Sequence, residues 1–155
     1  LPLADLITPN LGEAAVLLGA PPAQSEDARR EQVRALHGLG ARRVLLKGGH
    51  QVLADAGGRI ALDLLGEPGG VISVLRQPWI DTANTHGTGC TLSSAIAVER
   101  ARRPDDPSWL NACQAAREYL TAALRGADDL GIGHGHGPVS HFARWPGWAG
   151  GTAGR

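Results

Sequence analysis

The chain has 155 residues, 43% of them hydrophobic, with 15 basic and 15 acidic residues and a formal net charge of zero. That length and apolar share suit one globular domain with a respectable core. Charge neutrality without a basic, aromatic-interleaved stripe argues against nucleic acid and membrane surfaces as partners, and no apolar run approaches the ~18 residues of a membrane span or forms a signal peptide, so the default is a soluble cytosolic protein with a small ligand.

Short apolar strands alternate with amphipathic helices along the chain, which predicts an α/β layer structure. Ala4 to Ile7 reads as a strand ending at Thr8-Pro9, and Asn10 to Leu18 as a short helix stopped by Gly19 and the Pro21-Pro22 pair. Ser25 caps a helix running to about His37 before Gly38. Arg43 to Lys47 is the next strand and leads into Gly48-Gly49. Gln51 to Asp55 and Arg59 to Leu64 flank Ala56-Gly57-Gly58, a hairpin signal. Val71 to Leu75 and Trp79 to Asp81 form a further strand region interrupted by Pro78. Two helices follow, Thr88 to Arg102 and Asp106 or Ser108 to about Asp129, with Pro104 and Pro107 at the break. Leu110, Cys113, Ala116, Leu120 and Leu124 recur at helical spacing, so Cys113 belongs to a core stripe. Gly131 to Pro138 reads as a flexible glycine-rich loop, and Trp145 to Arg155 as a fraying tail in which Trp145 and Trp148 could dock on a neighbouring surface.

Three features of the chain bear on chemistry. It begins at Leu1 and has no methionine, which predicts a fragment or a processed chain. Its only lysine is Lys47, at a strand end before Gly48-Gly49; arginine everywhere else suggests that this position needs a compact ammonium on a flexible stem, chance being the alternative. The run Thr85-His86-Gly87-Thr88-Gly89-Cys90-Thr91 places two glycines and a thiol at a helix mouth. Glycines there let the backbone approach an anion, first-turn N–H groups and the macrodipole favour negative charge, and a cysteine at such a start gains thiolate character. The plainer alternative is a tight turn with Cys90 as a small buried residue.

Other readings fail on spacing. A Walker-type loop needs its lysine after the glycines, and Lys47 precedes them. His134, His136 and His141 sit among glycines that would leave metal ligands unpositioned. Cys90 with His86 lacks the third orienting group of a thiol hydrolase. Cys90 and Cys113 show neither a disulfide framework nor zinc-ligand spacing.

Four ordered stretches carry a resemblance: Leu6-Ile7-Thr8-Pro9-Asn10-Leu11-x-Glu13-Ala14, Val44-Leu45-Leu46-Lys47-Gly48-Gly49-His50, Asn84 through Thr91, and Gly133-x-Gly135-x-Gly137-Pro138-Val139-x-His141-Phe142. Through them the chain resembles the hydroxymethylpyrimidine/phosphomethylpyrimidine kinases of thiamine biosynthesis, within the ribokinase-like superfamily. The resemblance implies a three-layer α/β/α fold, incomplete here because the first strands and helices of such kinases precede the matching region. Residues 1–142 would then be the C-terminal part of the kinase domain and 143–155 a poorly ordered tail. A parallel sheet without its neighbouring strands would expose an unpaired edge, and the isolated fragment is expected to be inactive or very weak.

The resemblance also implies ATP- and magnesium-dependent phosphoryl transfer to an aminopyrimidine, in a protein that is a homodimer when complete. In that reaction Gly87, Thr88, Gly89 and Cys90 form the anion hole, Cys90 accepts the proton of the attacking hydroxyl, and Lys47 balances phosphate charge. Lys47, Thr85, His86, Gly87 and Gly89 would hold the nucleotide, and Asn10 and Glu13, three apart on one helical face, would order magnesium or its waters. A capping arrangement at a helix start is the alternative for Asn10 and Glu13. Pyridoxal kinases share the thiol variant of the loop, so pyridoxal is the competing acceptor. A noncatalytic nucleotide-binding or partner-binding module is the reading from another class.

Overall fold

The computed structural model describes residues 1–49, 53–55 and 58–145 and resolves into two compact units, Leu1–Trp79 and Ile80–Arg155. His50, Gln51, Val52, Ala56, Gly57, Trp148 and the rest of 146–155 lie outside the described residues, and with them parts of the hairpin and tail expectations.

In the first unit the helices form where their end signals predict. α1 spans Leu11–Leu18 and α2 spans Glu26–Gly38. Asn10 stands outside α1 as its cap in extended backbone, and Gly19, at φ 60°, supplies the left-handed residue that ends the helix. The Ser25 hydroxyl accepts from the Ala28 N–H at 3.2 Å and opens α2. Arg29, Gln32, Val33 and Leu36 make the buried stripe of α2, the spacing of one helical face. Val33 and Leu36 join Leu11, Ala14, Val44, Leu46, Leu62 and Leu64 in the core of this unit.

β1 (Val44–Leu46), β2 (Leu53–Asp55), β3 (Gly58–Gly66) and β4 (Ile72–Pro78) form one sheet in which β3 pairs with the other three, always antiparallel. The parallel sheet that the resemblance implies is, in this unit and among the described residues, reduced to two isolated bridges, Ile7 with Val44 and Asn10 with Lys47. Connection length explains this: the links after β1, β2 and β3 are too short for a parallel crossover, whereas α1 and α2 intervene between Ile7 and Val44. The predicted Ala4 to Ile7 strand likewise shrinks to the single bridge at Ile7. Leu45 N–H donates to Ile7 O at 2.8 Å and Lys47 N–H to Pro9 O at 2.8 Å, while Pro9 has no N–H to return. Pro78 ends β4 rather than interrupting a longer strand, a position where its missing donor costs least.

Below the Lys47 turn lies a buried charge pair. Asp63 is fully buried and Arg29 is 2% exposed. Asp63 Oδ1 accepts from the Gly48 N–H at 2.9 Å, and Arg29 Nη1 donates to Leu62 O at 3.3 Å. Burial pulls the Arg29 guanidinium below its ordinary pKa, and the charges of Asp63 and Glu26 push it back up. Gly48 is obligatory here, since a Cβ would stand 2.1 Å from Leu62 O and 2.6 Å from Arg29 Nη1, whereas at Gly49 nothing lies within 4 Å. Gly48→Ala is expected to destabilise the protein by about 1–3 kcal/mol, the usual cost of overpacking, and Gly49→Ala to leave it nearly unchanged. Urea midpoints of the two variants check this; equal midpoints would show that the backbone gives way at no cost.

In the second unit α3 (Thr88–Ala101) packs on α4 (Leu110–Arg125), burying Leu92 and Ile96 with Ala112, Cys113, Ala116, Leu120 and Ala123. Cys113 is fully buried, as its stripe position predicts. α4 is shorter than the sequence suggests at both ends. Asp106 and Ser108 spend their side chains on the turn, Oδ1 of Asp106 accepting from Ser108 N–H at 3.0 Å and Ser108 Oγ from Leu110 N–H at 3.1 Å. Gly126 then ends the helix before a 3-10 turn at Asp128–Leu130. The glycine-rich stretch after it is pinned at its far end: Ser140 N–H donates to Ala123 O at 2.9 Å, and His86 pairs in parallel with Pro138. Tyr119 Oη donates to His141 O at 2.9 Å. The Phe142 ring meets that of Trp145, in the tail, edge to face at 6.5 Å, and Trp145 is exposed.

Candidate functional site

The glycine-thiol run forms the entrance of α3. Gly87 is the N-cap, held at φ 83° and ψ 3° with no side-chain cap bond; only glycine adopts that left-handed geometry without strain. The first N–H groups of a helix have no partner within it. Thr88 N–H turns back to Thr85 O at 3.3 Å, and the helix ladder starts with Thr91 N–H to Gly87 O at 2.8 Å. The amides of Gly89 and Cys90 meet no acceptor among the described residues. Donors and macrodipole thus converge on one spot at the helix mouth, the arrangement that favours an anion.

Cys90 is exposed, so the alternative of a buried packing residue fails for it. It borders a cleft of about 580 Å³ along α3, whose wall also includes Thr91, Glu99, Tyr119, His141 and Arg144. Glu99 is held below the ordinary carboxylate range, first by its hydrogen bond from Arg103, then by that from Arg102 at 3.1 Å. Thr85 and His86 are exposed ahead of the turn, and His86 N–H donates to Gly137 O at 3.1 Å.

Asn10, Glu13 and Lys47 come together in the first unit. The parallel bridge sets Asn10 beside Lys47, whose side chain is half-buried. Asn10 and Glu13 form a reciprocal capping box: Asn10 Oδ1 accepts from Glu13 N–H at 2.8 Å, and Glu13 Oε2 accepts from Asn10 N–H at 2.7 Å. The local alternative for this pair is thus realised. It occupies one oxygen of Glu13 and leaves Oε1 without a hydrogen-bond partner among the described residues. Of the expected site residues, the structure joins these three in Leu1–Trp79 and keeps Thr85 through Cys90 contiguous in Ile80–Arg155. Among the described residues there is no group of three or more His, Cys, Asp or Glu placed to hold a metal.

Residues that sequence reasoning did not assign to the site brace the loop from behind. Asp128 Oδ1 accepts from the Thr82 hydroxyl and, at 2.8 Å, from Asn84 Nδ2. Asn84 N–H donates to Thr82 Oγ1 at 3.1 Å, and Asn84 Oδ1 accepts from Gly137 N–H at 2.8 Å. These bonds hold the Asp128 carboxyl below its usual range, Thr82 contributing most and Asn84 next. Asn84, just before the glycine run, was a visible signal; nothing local marks Asp128.

A family profile described as phosphomethylpyrimidine kinase matches residues 1–140. The hydroxymethylpyrimidine/phosphomethylpyrimidine kinase of Escherichia coli is 45% identical over 150 residues, 94% of this chain and 51% of that protein. A solved structure of Bacillus subtilis pyridoxal kinase in complex with ADP matches with a TM-score of 0.78 at 35% identity, over 92% of this chain and 52% of that one. Staphylococcus aureus pyridoxal kinase with AMP-PCP matches with a TM-score of 0.81 at 26% identity, over 94% of this chain and 50% of that one. The chain spans about half the length of the curated relatives it matches. These likenesses assign the α/β architecture to the ribokinase-like class.

Proposed function

This chain belongs to the phosphomethylpyrimidine kinase family, and from that premise we propose that the protein carrying it phosphorylates 4-amino-5-hydroxymethyl-2-methylpyrimidine and its monophosphate with ATP, in thiamine biosynthesis. The observation that supports this most directly is the left-handed Gly87 turn opening α3 with an exposed Cys90 at its third residue. Phosphoryl transfer asks for positioning and for neutralisation of charge spread over the transferring group. In this reading the amides of Gly89 and Cys90, left without a backbone acceptor by the Gly87 turn, face the oxygens of the γ-phosphoryl group, and Thr88 N–H, held by Thr85 O, lies beside them. Cys90 as thiolate takes the proton of the attacking hydroxyl while the new O–P bond forms and the bond to ADP breaks. Lys47 balances phosphate charge, and Thr85 and His86 line the nucleotide side.

The donor set at Asn10 and Glu13 fits magnesium in an indirect mode. Both side chains offer hard oxygen ligands, but the capping box uses Asn10 Oδ1 and Glu13 Oε2, so Glu13 Oε1 would hold a metal-bound water, and magnesium usually keeps several. Magnesium supplies charge neutralisation on the phosphates. With magnesium-ATP near 100 times its Kd, linkage stabilises the folded state by about 2.7 kcal/mol, which raises the thermal midpoint of the full-length protein by roughly 5–10 °C. Glu13→Gln keeps the capping bond and removes the charge, so it is expected to leave the unliganded midpoint in place and raise the magnesium concentration needed for the shift. A shift of equal size with ATP and no magnesium would remove the metal role.

The test of the activity is phosphorylation by the full-length protein carrying this chain, with hydroxymethylpyrimidine, its monophosphate and pyridoxal as acceptors. Turnover of both pyrimidines well above pyridoxal is the expected result. Preference for pyridoxal would favour the second reading, which the structural likeness to pyridoxal kinases supports. Nucleotide binding without turnover of any acceptor would leave a noncatalytic nucleotide-binding module.

A further inference from the structure

We infer that Asp128 is a positioning residue for the Gly87–Cys90 turn, acting through a relay of Thr82, Asn84 and Gly137 that fixes the chain on both sides of the turn; as a role in phosphoryl transfer this rests on the kinase reading. Three separate parts of the second unit meet in the relay. Asp128 lies on the 3-10 turn after α4. Thr82 and Asn84 precede the glycine run, and Gly137 belongs to the glycine-rich stretch that returns beside it. A single carboxylate oxygen, Asp128 Oδ1, accepts from both Thr82 Oγ1 and Asn84 Nδ2. This fixes the Asn84 amide so that its Oδ1 faces the Gly137 N–H, at 2.8 Å. Gly137 O in turn receives His86 N–H at 3.1 Å, and His86 Nδ1 or its neighbours are not needed for that step because the contact is backbone to backbone. The next residue is Gly87, the cap whose left-handed φ sets the direction of the first amides of α3.

Two further observations fit a built relay. The Ala83 carbonyl, between Thr82 and Asn84, pairs with His136 Nδ1 at 2.9 Å, so two adjacent residues of each segment are engaged. Gly137 is also too close to Asn84 for any side chain, because a Cβ there would stand 2.4 Å from Asn84 Oδ1. The relay thus takes a hydrogen-bonded amide and a close backbone approach, neither of which a surface carboxylate needs for solubility. Hydrogen bonds to an ionised acceptor are the stronger kind, and small displacements of a positioning group are costly when the chemistry depends on alignment.

The experiment uses the full-length protein with three substitutions, Asp128→Ala, Asp128→Asn and Gly137→Ala. Asp128→Asn keeps an oxygen acceptor at the Oδ1 position, Asp128→Ala removes it, and Gly137→Ala displaces Asn84 without touching Asp128. Steady-state kinetics and hydrogen exchange of the peptide covering 84–92 are read together with the thermal midpoint. Expected for Asp128→Ala is a kcat loss of about 10–100-fold, the scale of a misplaced group, with KM for ATP within threefold and tenfold faster exchange in 84–92. Gly137→Ala should follow it, and Asp128→Asn should recover most of both readouts. Unchanged exchange at 84–92 in Asp128→Ala overturns the relay, as does a kcat loss that Asp128→Asn shares in full while the thermal midpoint falls in step. If the wild-type protein turns over no acceptor, the kinase reading fails, and the exchange arm still decides whether Asp128 orders the turn.

Discussion

Cys90→Ala in the full-length protein is expected to lower kcat for pyrimidine phosphorylation by about 10²–10⁴-fold, the usual contribution of a positioned general base. KM for ATP and the magnesium-ATP thermal shift should stay near wild type. The split follows from the geometry: the anion-facing groups are backbone amides set by Gly87, and alanine keeps them, whereas the thiol is the group proposed to meet the acceptor hydroxyl. Cys90 is exposed and Cys113 is the buried cysteine, so the substitution removes no core packing, and its stability cost should fall within about 0.5 kcal/mol. Turnover within threefold of wild type would take Cys90 out of the mechanism. A parallel loss of nucleotide binding would instead assign the thiol to the phosphate side.

Asp63→Asn is expected to cost about 3–5 kcal/mol of stability, the penalty for leaving one partner of a buried charge pair uncompensated. Asp63 is 0% exposed and Arg29 2% exposed. Asparagine is isosteric and can still accept from Gly48 N–H, so the change isolates the charge. For a domain of this size the thermal midpoint should drop on the order of 10 °C. Replacing both partners, Arg29→Met with Asp63→Leu, should recover part of that loss, because a matched apolar pair carries no desolvation penalty. A single variant within 1 kcal/mol of wild type would show that the pair is solvated or relaxes. The position of Asp63 under Gly48, next to Lys47, adds a functional consequence: weakened Asp63 variants should also bind ATP less tightly, since the turn that presents the ammonium loses its support.

Much of the fold was legible because it is locally encoded. Asn10, Ser25 and Gly19 mark the ends of α1 and α2, and the caps form at those residues. The apolar stripe of α4 places Cys113 in the core by spacing alone. The strands were less legible, since a strand is defined by a partner elsewhere in the chain. Ala4 to Ile7 has strand composition, yet only Ile7 of that segment bridges, and the parallel sheet that the resemblance implies gives way in the first unit to an antiparallel one built around β3. The α4 boundaries moved for a different reason, because Asp106 and Ser108 compete for the helix start with their own side-chain bonds.

The candidate site divides along the same line. Sequence alone determined the pieces whose chemistry is contiguous or singular: the glycine-thiol turn, the Asn10 and Glu13 pair, and Lys47 as the only ammonium side chain. Only the tertiary structure decided what supports them, setting Arg29 and Asp63 beneath the Lys47 turn and drawing Asp128, 46 residues from Thr82, behind the Gly87 turn. Local motifs can be read because their geometry follows from neighbouring backbone dihedrals. Two opposite charges buried near each other, or a hydrogen-bond relay between distant segments, exist only once packing has removed water and brought the members together.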